Sequence, residues 1–478
     1  MREELLFEKS SPGRVGFSLP ELDVPRKNPQ SSLTRRELSL PELSEPDVVR
    51  HYARLSQWNF SIDHNFYPLG SCTMKYNPKI NDWAARQLGF SEAHPNMPPH
   101  LAQGALKLMF ELQNMIKELS GLDAVTLAPL AGAQGEFTGL KLIKAYFEDK
   151  GEKRHKILIP DTAHGTNPAS SALAGYEVVK IPTSDQGVLS LEHIQEAASN
   201  DVAALMLTNP NTLGYLEENI KEIADILHAK GAFVYCDGAN FNAFVGLAKV
   251  KSWGVDVIQF NLHKTFSTPH GGGGPGSGPV GLVKSLEPYL PTPVIKEENG
   301  NLNFDWDRPQ SIGSLSTFFG NFGILVRAYV YMKTLGLEGM QDMAKMAILN
   351  ANYVRARLKN HYYVPYPKRF CLHETILSDK NQEKYGVTTL DISKRLLDYG
   401  FHPPTIYFPL VVKGSLMIEP TESESKQTLD QFCDTMIKIS EEGKKDPNFL
   451  KKAPYSTVVR RIDEVRAARN PILTYKKN

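Results

Sequence analysis

The chain has 478 residues, of which 41% are apolar and 22% are charged. This length exceeds a typical single domain, and this composition excludes a disordered chain. The 54 basic and 53 acidic residues leave a net charge of +1, which argues against general nucleic-acid binding. No apolar run approaches the roughly 18 residues of a membrane span, so we expect no membrane association.

The amino-terminal residues predict neither a secretory signal nor a transit peptide. They lack a long apolar core, and three glutamates occur within the first eight residues. The cysteine spacings fit neither a metal knuckle nor a CxxC redox pair, so we expect free thiols, no bound metal and a reducing, cytoplasmic compartment. The cysteines are Cys72, Cys236, Cys371 and Cys433.

Residues 9–46 contain six prolines together with many apolar side chains. Proline fixes φ and removes a hydrogen-bond donor, so this stretch should be extended rather than helical. A solvated linker does not need so many apolar groups. We therefore predict that residues 1–75 form an extended arm and entry segment, and that the arm lies on another surface such as a partner subunit.

Helices and strands are predicted to alternate through residues 76–330. Apolar residues between 101 and 119 recur with helical periodicity, and Gly121 follows as a stop signal. Later apolar runs alternate with helical stretches, such as residues 220–230, which predicts a mainly parallel sheet covered by helices. A further strand at 278–284 could be antiparallel. The predicted buried strands are 156–160, 203–208, 232–236 and 255–260.

After about residue 330 the pattern changes, and we predict a smaller α+β domain over residues 331–478. Helical stretches at about 323–359 and 425–443 flank two strand candidates, 407–413 and 415–419. The fold class predicted for the whole chain is therefore α/β.

Four features follow predicted strands, at the sheet edge where open α/β sheets bind ligands. Asp237 comes directly after one strand, and Lys264 follows the next strand 27 residues later. Residues 129–138 follow a strand and open a helix predicted from Glu136 to Phe147. The amides of Ala133 and Gln134 are predicted to bind an anion in a turn before this helix, which Gly132 and Gly135 allow. His164 follows the strand at 156–160 and could stack on an aromatic ring.

A phosphate site, a stacking ring, an acid and a lysine are together what pyridoxal 5′-phosphate needs. The lysine amine can form an imine with the cofactor aldehyde, and the acid can keep the pyridine nitrogen protonated. The glycine run at 270–278 is not a phosphate-binding Walker motif, because no Gly-Lys-Ser/Thr sequence follows it. We expect this run to let the backbone approach the cofactor closely.

At these residues the chain resembles the glycine cleavage system P-proteins, which are fold-type-I pyridoxal phosphate enzymes. Matching segments include Tyr67-Pro-Leu-Gly-Ser-Cys-Thr-Met-Lys75, Asp161-Thr-Ala-His-Gly-Thr-Asn-Pro-Ala169, Cys236-Asp-Gly-Ala-Asn240 and the run from His263 to Gly278. The resemblance implies decarboxylation of glycine and transfer of the aminomethyl group to a lipoyl group on the H-protein. It implies that Lys264 holds the cofactor, that Asp237 pairs with the ring nitrogen, and that the site is further lined by His164, Asn209, Ala239, Asn240, His263 and Thr317.

Longer members of this family contain two related halves, of which only the second carries the lysine. The chain resembles that second half alone, which implies a homologous partner subunit 1, with two copies of each subunit. Two alternatives stay open. The chain could be a different fold-type-I enzyme. It could be an aminotransferase that binds the substrate carboxylate through Arg369 or Arg395, or a desulfurase with Cys371 as nucleophile. The chain could also be a non-catalytic regulatory subunit of the same fold.

Overall fold

The structure, a computed structural model, describes residues 2–35, 38–271 and 276–474. Residues 272–275 of the glycine run lie outside the described residues, so the close approach predicted for them stays a prediction. A search of the described helices finds none with the length and apolar character that a membrane crossing requires.

The chain divides into two compact units. One unit combines Met1–Asn65 with Ser456–Asn478, and the other is Phe66–Tyr455. The domain boundaries predicted at 75 and 330 stay predictions. In chain order the helices are α1 (Leu6–Lys9), α2 (Glu45–Trp58), α3 (Lys79–Ala85), α4 (Leu88–Ser91), α5 (Gln103–Ser120), α6 (Gly132–Asp149), α7 (Thr166–Leu173), α8 (Leu191–Ala197), α9 (Ile220–Ala229), α10 (Phe322–Leu358), α11 (Lys380–Glu383), α12 (Thr389–Asp398), α13 (Lys426–Lys445), α14 (Pro447–Lys452) and α15 (Glu464–Arg469).

The strands all belong to the unit Phe66–Tyr455 and form three sheets within the described part of the chain. The largest has the order β1-β7-β6-β5-β4-β2-β3, a second has the order β10-β12-β11, and β8 pairs with β9. The strands are β1 (Ala124–Thr126), β2 (Lys156–Pro160), β3 (Glu177–Ile181), β4 (Val202–Thr208), β5 (Phe233–Gly238), β6 (Val257–Phe260), β7 (Val280–Leu282), β8 (Val294–Glu298), β9 (Asn301–Asp305), β10 (Thr375–Ser378), β11 (Thr405–Ile406) and β12 (Ser415–Ile418).

The large sheet confirms the predicted parallel arrangement. Its strands β3, β2, β4, β5 and β6 pair in parallel, whereas β7 runs antiparallel to both β6 and β1. Strand β4 shows why the central strands are apolar throughout. Leu205 and Leu207 enter one apolar core, while Ala204 and Met206 enter another, so the sheet is buried on both faces.

Helix α5 confirms the helix predicted from the periodicity of residues 101–119. Gly121 caps it with a φ of +76°, in the left-handed region that glycine adopts without strain. Helices α10 and α13 confirm the two long helices predicted after residue 320, although Gly336 interrupts α10 with a φ of +63°.

The strand predicted at 407–413 is wrong. In this region only Thr405 and Ile406 pair with β12, and Tyr407 then adopts a φ of +57°. A left-handed residue ends an extended strand, so the apolar side chains that follow belong to a turn. The neighbouring strand predicted at 415–419 is confirmed as β12.

Candidate active site

A cavity of about 410 Å³ lies at the carboxyl edge of the large sheet. Most of the residues predicted from the sequence line it, namely Ala133, His164, Asp237, Ala239, Asn240, His263 and Lys264. A larger cavity of about 690 Å³ contains none of them and includes Asp185, Tyr366 and Lys413. The smaller cavity is therefore the candidate active site.

Lys264 lies four residues after the end of β6, in a turn where its backbone N–H donates to the carbonyl of Asn261 at 3.0 Å. The residue is 8% exposed. Among the residues that the structure describes, none accepts a hydrogen bond from its Nζ or forms an ion pair with it. A buried amine without a protein partner is available to a ligand in the cavity.

Asp237, near the end of β5, is held by three donors. Its Oδ2 accepts from Asn167 Nδ2 at 2.8 Å, and its Oδ1 accepts from the Ala239 N–H at 2.9 Å and from Gln259 Nε2. The parallel register of β5 and β6 places Gln259 directly beside Asp237. These donors fix the direction of the Asp237 carboxyl group.

His164 lies in the turn after β2, and burial lowers the pKa of its imidazole. Its Nδ1 lies 2.8 Å from Thr166 Oγ1, and the Thr166 hydroxyl donates to Glu136 Oε1 at 2.6 Å. A neutral ring held by one of its nitrogens is suited to stacking against an aromatic ligand.

Glu136 is a site residue that the sequence analysis did not select. Its carboxylate also accepts from Ser170 at 2.9 Å, and its oxygens lie within 4.8 Å of ligand atoms of His164 and Asp237. Burial, followed by the charge of Asp237, raises the pKa of Glu136 to about 7. Glu136 lies within the segment 129–138 that was singled out in the sequence, but no role was predicted for it.

The amino end of α6 borders the cavity, but it differs from the prediction in two ways. The helix begins at Gly132 rather than at Glu136, which leaves the amides of Ala133 and Gln134 in its first turn. The amides of a first turn have no partner within the helix, so the predicted anion site keeps its donors. Gly132 and Gly135 are helical residues, and the expectation that they serve a tight turn is wrong.

The two glycines of α6 are needed because neighbouring groups lie very close. A Cβ atom on Gly135 would lie 2.7 Å from the carbonyl oxygen of Gly278, and one on Gly132 would overlap the Asn261 side chain. These glycines therefore allow the helix start to pack directly against the segments that follow β6 and precede β7.

Three predicted residues do not line the cavity. Gln134 turns its side chain back, where its Oε1 accepts from the Leu130 N–H at 2.6 Å. Asn209 is buried and accepts from the Glu217 N–H at 3.2 Å. Thr317 lines a separate cavity of about 430 Å³ together with His94 and Phe318. The cofactor roles expected of the Gln134 backbone amide and of Asn209 and Thr317 stay predictions.

The residues proposed for the rival enzymes lie elsewhere. Arg369 is paired with Glu218 at 2.8 Å, and Arg395 with Glu442 at 2.9 Å. Cys371 is buried outside the cavity. No arginine occurs among the described residues that line the cavity.

The structure adds residues to the cavity from two distant segments. Ser71 and Cys72 precede the large sheet in the chain, whereas His373 and Glu374 precede β10. Burial raises the pKa of the Cys72 thiol, which therefore lacks the lowered pKa of a reactive nucleophile. The segment 67–75 was part of the family resemblance, but no signal in the sequence marked His373 or Glu374.

The side chains present fit a phosphate-bearing aromatic aldehyde. The amine of Lys264, the carboxylate of Asp237 and the first turn of α6 supply the groups that such a molecule requires. Buried polar atoms without a hydrogen-bond partner in the described chain also border the cavity, including Asn261 Oδ1 and His270 Nδ1. Buried polar atoms normally have partners, so these atoms indicate that the cavity receives a polar ligand.

Comparisons with known proteins agree with this arrangement. Residues 133–273 match the family described as Aminotransferase class-V, and residues 343–455 match the family described as Glycine dehydrogenase, C-terminal domain. Among solved structures, a glycine decarboxylase (P-protein) of the glycine cleavage system in inhibitor-bound form aligns with a TM-score of 0.72 and 22% identity, over 86% of this chain and 93% of that chain. A NifS-like protein aligns with a TM-score of 0.62. The chain therefore shares the α/β fold of these solved structures.

Full-length relatives are much closer in sequence. Proteins of Listeria innocua and Halalkalibacterium halodurans, each named "Probable glycine dehydrogenase (decarboxylating) subunit 2", are 52% and 54% identical to this chain. Each alignment covers 99% of this chain and 98% of the relative. The chain belongs to the glycine dehydrogenase (decarboxylating) subunit 2 family.

Proposed function

We propose that this chain, with pyridoxal 5′-phosphate, decarboxylates glycine and transfers the aminomethyl group to the lipoyl group of an H-protein in a glycine cleavage system. The observation that carries the proposal is the buried amine of Lys264, which has no partner among the described residues, in the same cavity as the anchored carboxylate of Asp237. The names of the closely related proteins and the family match of residues 343–455 support glycine as the substrate.

Pyridoxal phosphate, when bound, accepts the electron pair that glycine retains as CO2 leaves. Lys264 would supply the amine that attaches the cofactor and that glycine displaces. The Asp237 carboxylate, held by Asn167 and Ala239, would accept a hydrogen bond from a protonated ring nitrogen and keep the proton there. His164 would stack on the ring, and the amides of Ala133 and Gln134 would bind the phosphate.

The proposal includes a partner subunit. The relatives are named subunit 2, which supports a homologous subunit 1, and we propose two copies of each in the active complex. In that complex Thr317 would complete a site across a subunit boundary. The lipoyl group of the H-protein would enter the cavity as the acceptor.

The experiment is to load the chain with pyridoxal phosphate and record its absorption spectrum before and after glycine addition, with and without subunit 1. Release of CO2 from carboxyl-labelled glycine is then measured with lipoylated H-protein. We expect a glycine-dependent spectral change and CO2 release that requires the H-protein. Formation of glyoxylate with no CO2 release would instead identify an aminotransferase and overturn the proposal.

A further inference from the structure

A second group of titratable side chains lies at the cavity. Its members are far from Asp237 in the sequence. Glu374 directly precedes β10 and Glu419 directly follows β12. These strands are antiparallel, and Thr375 pairs with Ile418, so the two glutamates flank the same end of the strand pair. Ligand atoms of Glu374, Glu419 and His373 lie within 4.8 Å of one another, and all three residues are buried.

Glu419 accepts more hydrogen bonds than Glu374 does. Glu419 accepts from the Thr73 N–H at 2.9 Å, the Thr73 hydroxyl at 2.7 Å and Asn240 Nδ2 at 2.7 Å. Glu374 accepts from the Ser71 N–H at 3.0 Å. Two buried carboxyl groups this close do not both ionise. Burial raises the pKa of Glu419, but the hydrogen bonds that it accepts from Asn240 and Thr73 oppose this rise, so we assign the shared proton to Glu374.

The surrounding charges agree with this assignment. Burial, followed by the charge of Glu419, raises the pKa of Glu374 to about 8, although Lys264 lowers it. Glu374 thus keeps its proton at neutral pH. The charged or titratable groups that face this pair are Lys264, His373 and Cys72.

His373 indicates that the cluster faces a ligand. The residue is 2% exposed and lines the cavity, yet neither of its ring nitrogens has a hydrogen-bond partner in the described chain. Its Nε2 lies 3.9 Å from Glu374 Oε2, which is beyond hydrogen-bond distance. Burial lowers the pKa of His373 to about 3, so the ring is neutral. The nearby charge of Lys264 disfavours a divalent cation, so a neutral or proton-accepting group is the better occupant.

The proposed reaction requires a proton at a particular atom. As the aminomethyl carbon bonds to one sulfur of the lipoyl disulfide, the S–S bond breaks and its electron pair stays on the other sulfur. That sulfur needs one proton to become a thiol. Glycine enters with an ammonium group and its product is an amine, so the substrate supplies one proton and the overall reaction is balanced.

We propose, on the basis of the proposed function, that Glu374 donates this proton to the departing sulfur while Glu419 holds the negative charge. The proton that glycine loses then restores Glu374. His373 donates a hydrogen bond to the acceptor from its unpartnered ring. This assignment makes Glu374 a general acid for the transfer step, with Glu419 as its positioning residue.

The test compares the wild-type chain with Glu374→Gln, each loaded with pyridoxal phosphate and combined with subunit 1 and lipoylated H-protein. Glycine affinity is measured from the spectral change, and aminomethyl transfer is measured from pH 6 to 9.5. We expect Glu374→Gln to bind glycine within about threefold of wild type and to lose about 100-fold or more in transfer rate, since general acids typically contribute 10²–10⁴. Glu374→Asp should recover part of this rate.

The pH profile separates proton donation from a structural role. A group that must be protonated gives a rate that falls as pH rises through its pKa, so wild type should lose transfer activity above about pH 8. That alkaline decline should be absent from the residual activity of Glu374→Gln.

Glu217→Gln is the matched control. Glu217 is also buried, accepts from Asn211 at 2.8 Å and Leu189 at 2.8 Å, and lies outside the cavity, so it should keep the wild-type profile. Wild-type transfer by Glu374→Gln, or loss of its glycine binding, would overturn the proton-donor assignment. Failure of the wild-type chain to release CO2 would instead overturn the proposed function.

Discussion

Asp237 lies near the end of β5 and Lys264 follows the neighbouring parallel strand β6, and the surroundings of the two side chains suit different roles. The amine of Lys264 has no partner in the described chain, whereas the Asp237 carboxylate accepts three hydrogen bonds. An unpartnered amine can react, and a carboxylate fixed by donors can hold a proton on another group. Each assignment leads to a separate prediction.

We predict that Lys264→Ala abolishes the covalent attachment of pyridoxal phosphate, because an imine requires a primary amine. Borohydride reduction followed by mass spectrometry of the peptides should locate the adduct on Lys264 in the wild-type chain and find no adduct in the variant. The control is Lys75→Gln, since Lys75 is also buried but is paired with Glu422 at 2.9 Å. A persisting adduct in Lys264→Ala would mean that another lysine holds the cofactor.

We predict that Asp237→Asn still binds pyridoxal phosphate but decarboxylates glycine about 100-fold more slowly or worse. The amide keeps the size of the carboxylate and loses the charge that stabilises the protonated ring nitrogen; removing one such electrostatic contact typically costs 10²–10³ in rate. Cofactor titration and CO2 release measure the two effects separately. The control is Asp256→Asn. The Asp256 carboxylate is hydrogen-bonded to His228 Nε2 at 2.8 Å and lies outside the cavity, so this variant should keep the wild-type rate.

Among the secondary-structure elements, helix α6 contacts both the candidate active site and the large sheet. Its first turn supplies amides to the cavity, and its glycines allow close contact with Asn261 and Gly278. Because these contacts involve backbone and short side chains, the position of the anion site depends on glycine at 132 and 135.

We predict that Gly135→Ala weakens pyridoxal phosphate binding and destabilises the fold by about 1–3 kcal/mol, a typical cost of overpacking. Its Cβ would lie 2.7 Å from the Gly278 carbonyl oxygen, so the helix start must shift. Urea unfolding and cofactor titration measure the two effects. Gly104→Ala in α5 is the control, because nothing lies within 4 Å of its Cβ, and alanine there should stabilise the helix slightly. Unchanged cofactor affinity in Gly135→Ala would place the phosphate elsewhere.

At the scale of the whole molecule, the arm at residues 9–46 has few regular elements in its described part and exposes many apolar side chains. Phe17 is 77% exposed and Leu19 is 83% exposed. Contiguous exposed apolar surface marks an interaction site. This exposure agrees with an arm that covers a partner subunit, which stays a prediction.

We predict that the chain alone associates or aggregates rather than staying monomeric, and that activity requires subunit 1. Replacing Phe17 and Leu19 by serine should weaken assembly, as measured by light scattering of the mixed subunits, because it removes apolar area from the interface. Leu88→Ser, which alters a side chain 69% exposed on α4, is the control and should assemble normally. A monodisperse monomer with full glycine decarboxylation and lipoyl transfer would contradict the prediction.

The sequence by itself determined the order of the central strands along the chain and the site residues at or shortly past their carboxyl ends. Apolar runs such as β4 and β5 are continuous because both faces of the sheet are buried, and that pattern is local in the sequence. Asp237, Lys264 and His164 were predictable because the carboxyl ends of parallel strands meet at one edge. The helical periodicity that predicted α5 likewise depends only on residues that are close together in the sequence.

Only the tertiary structure decided which distant residues complete the site. Glu374 and Glu419 are 45 positions apart, and they meet because β10 and β12 pair in one particular register. No local pattern encodes that register or the approach of residues 71–73 to the pair. The failure at 407–413 has the same cause, since an apolar run becomes a strand only where a neighbouring strand is available to accept its hydrogen bonds.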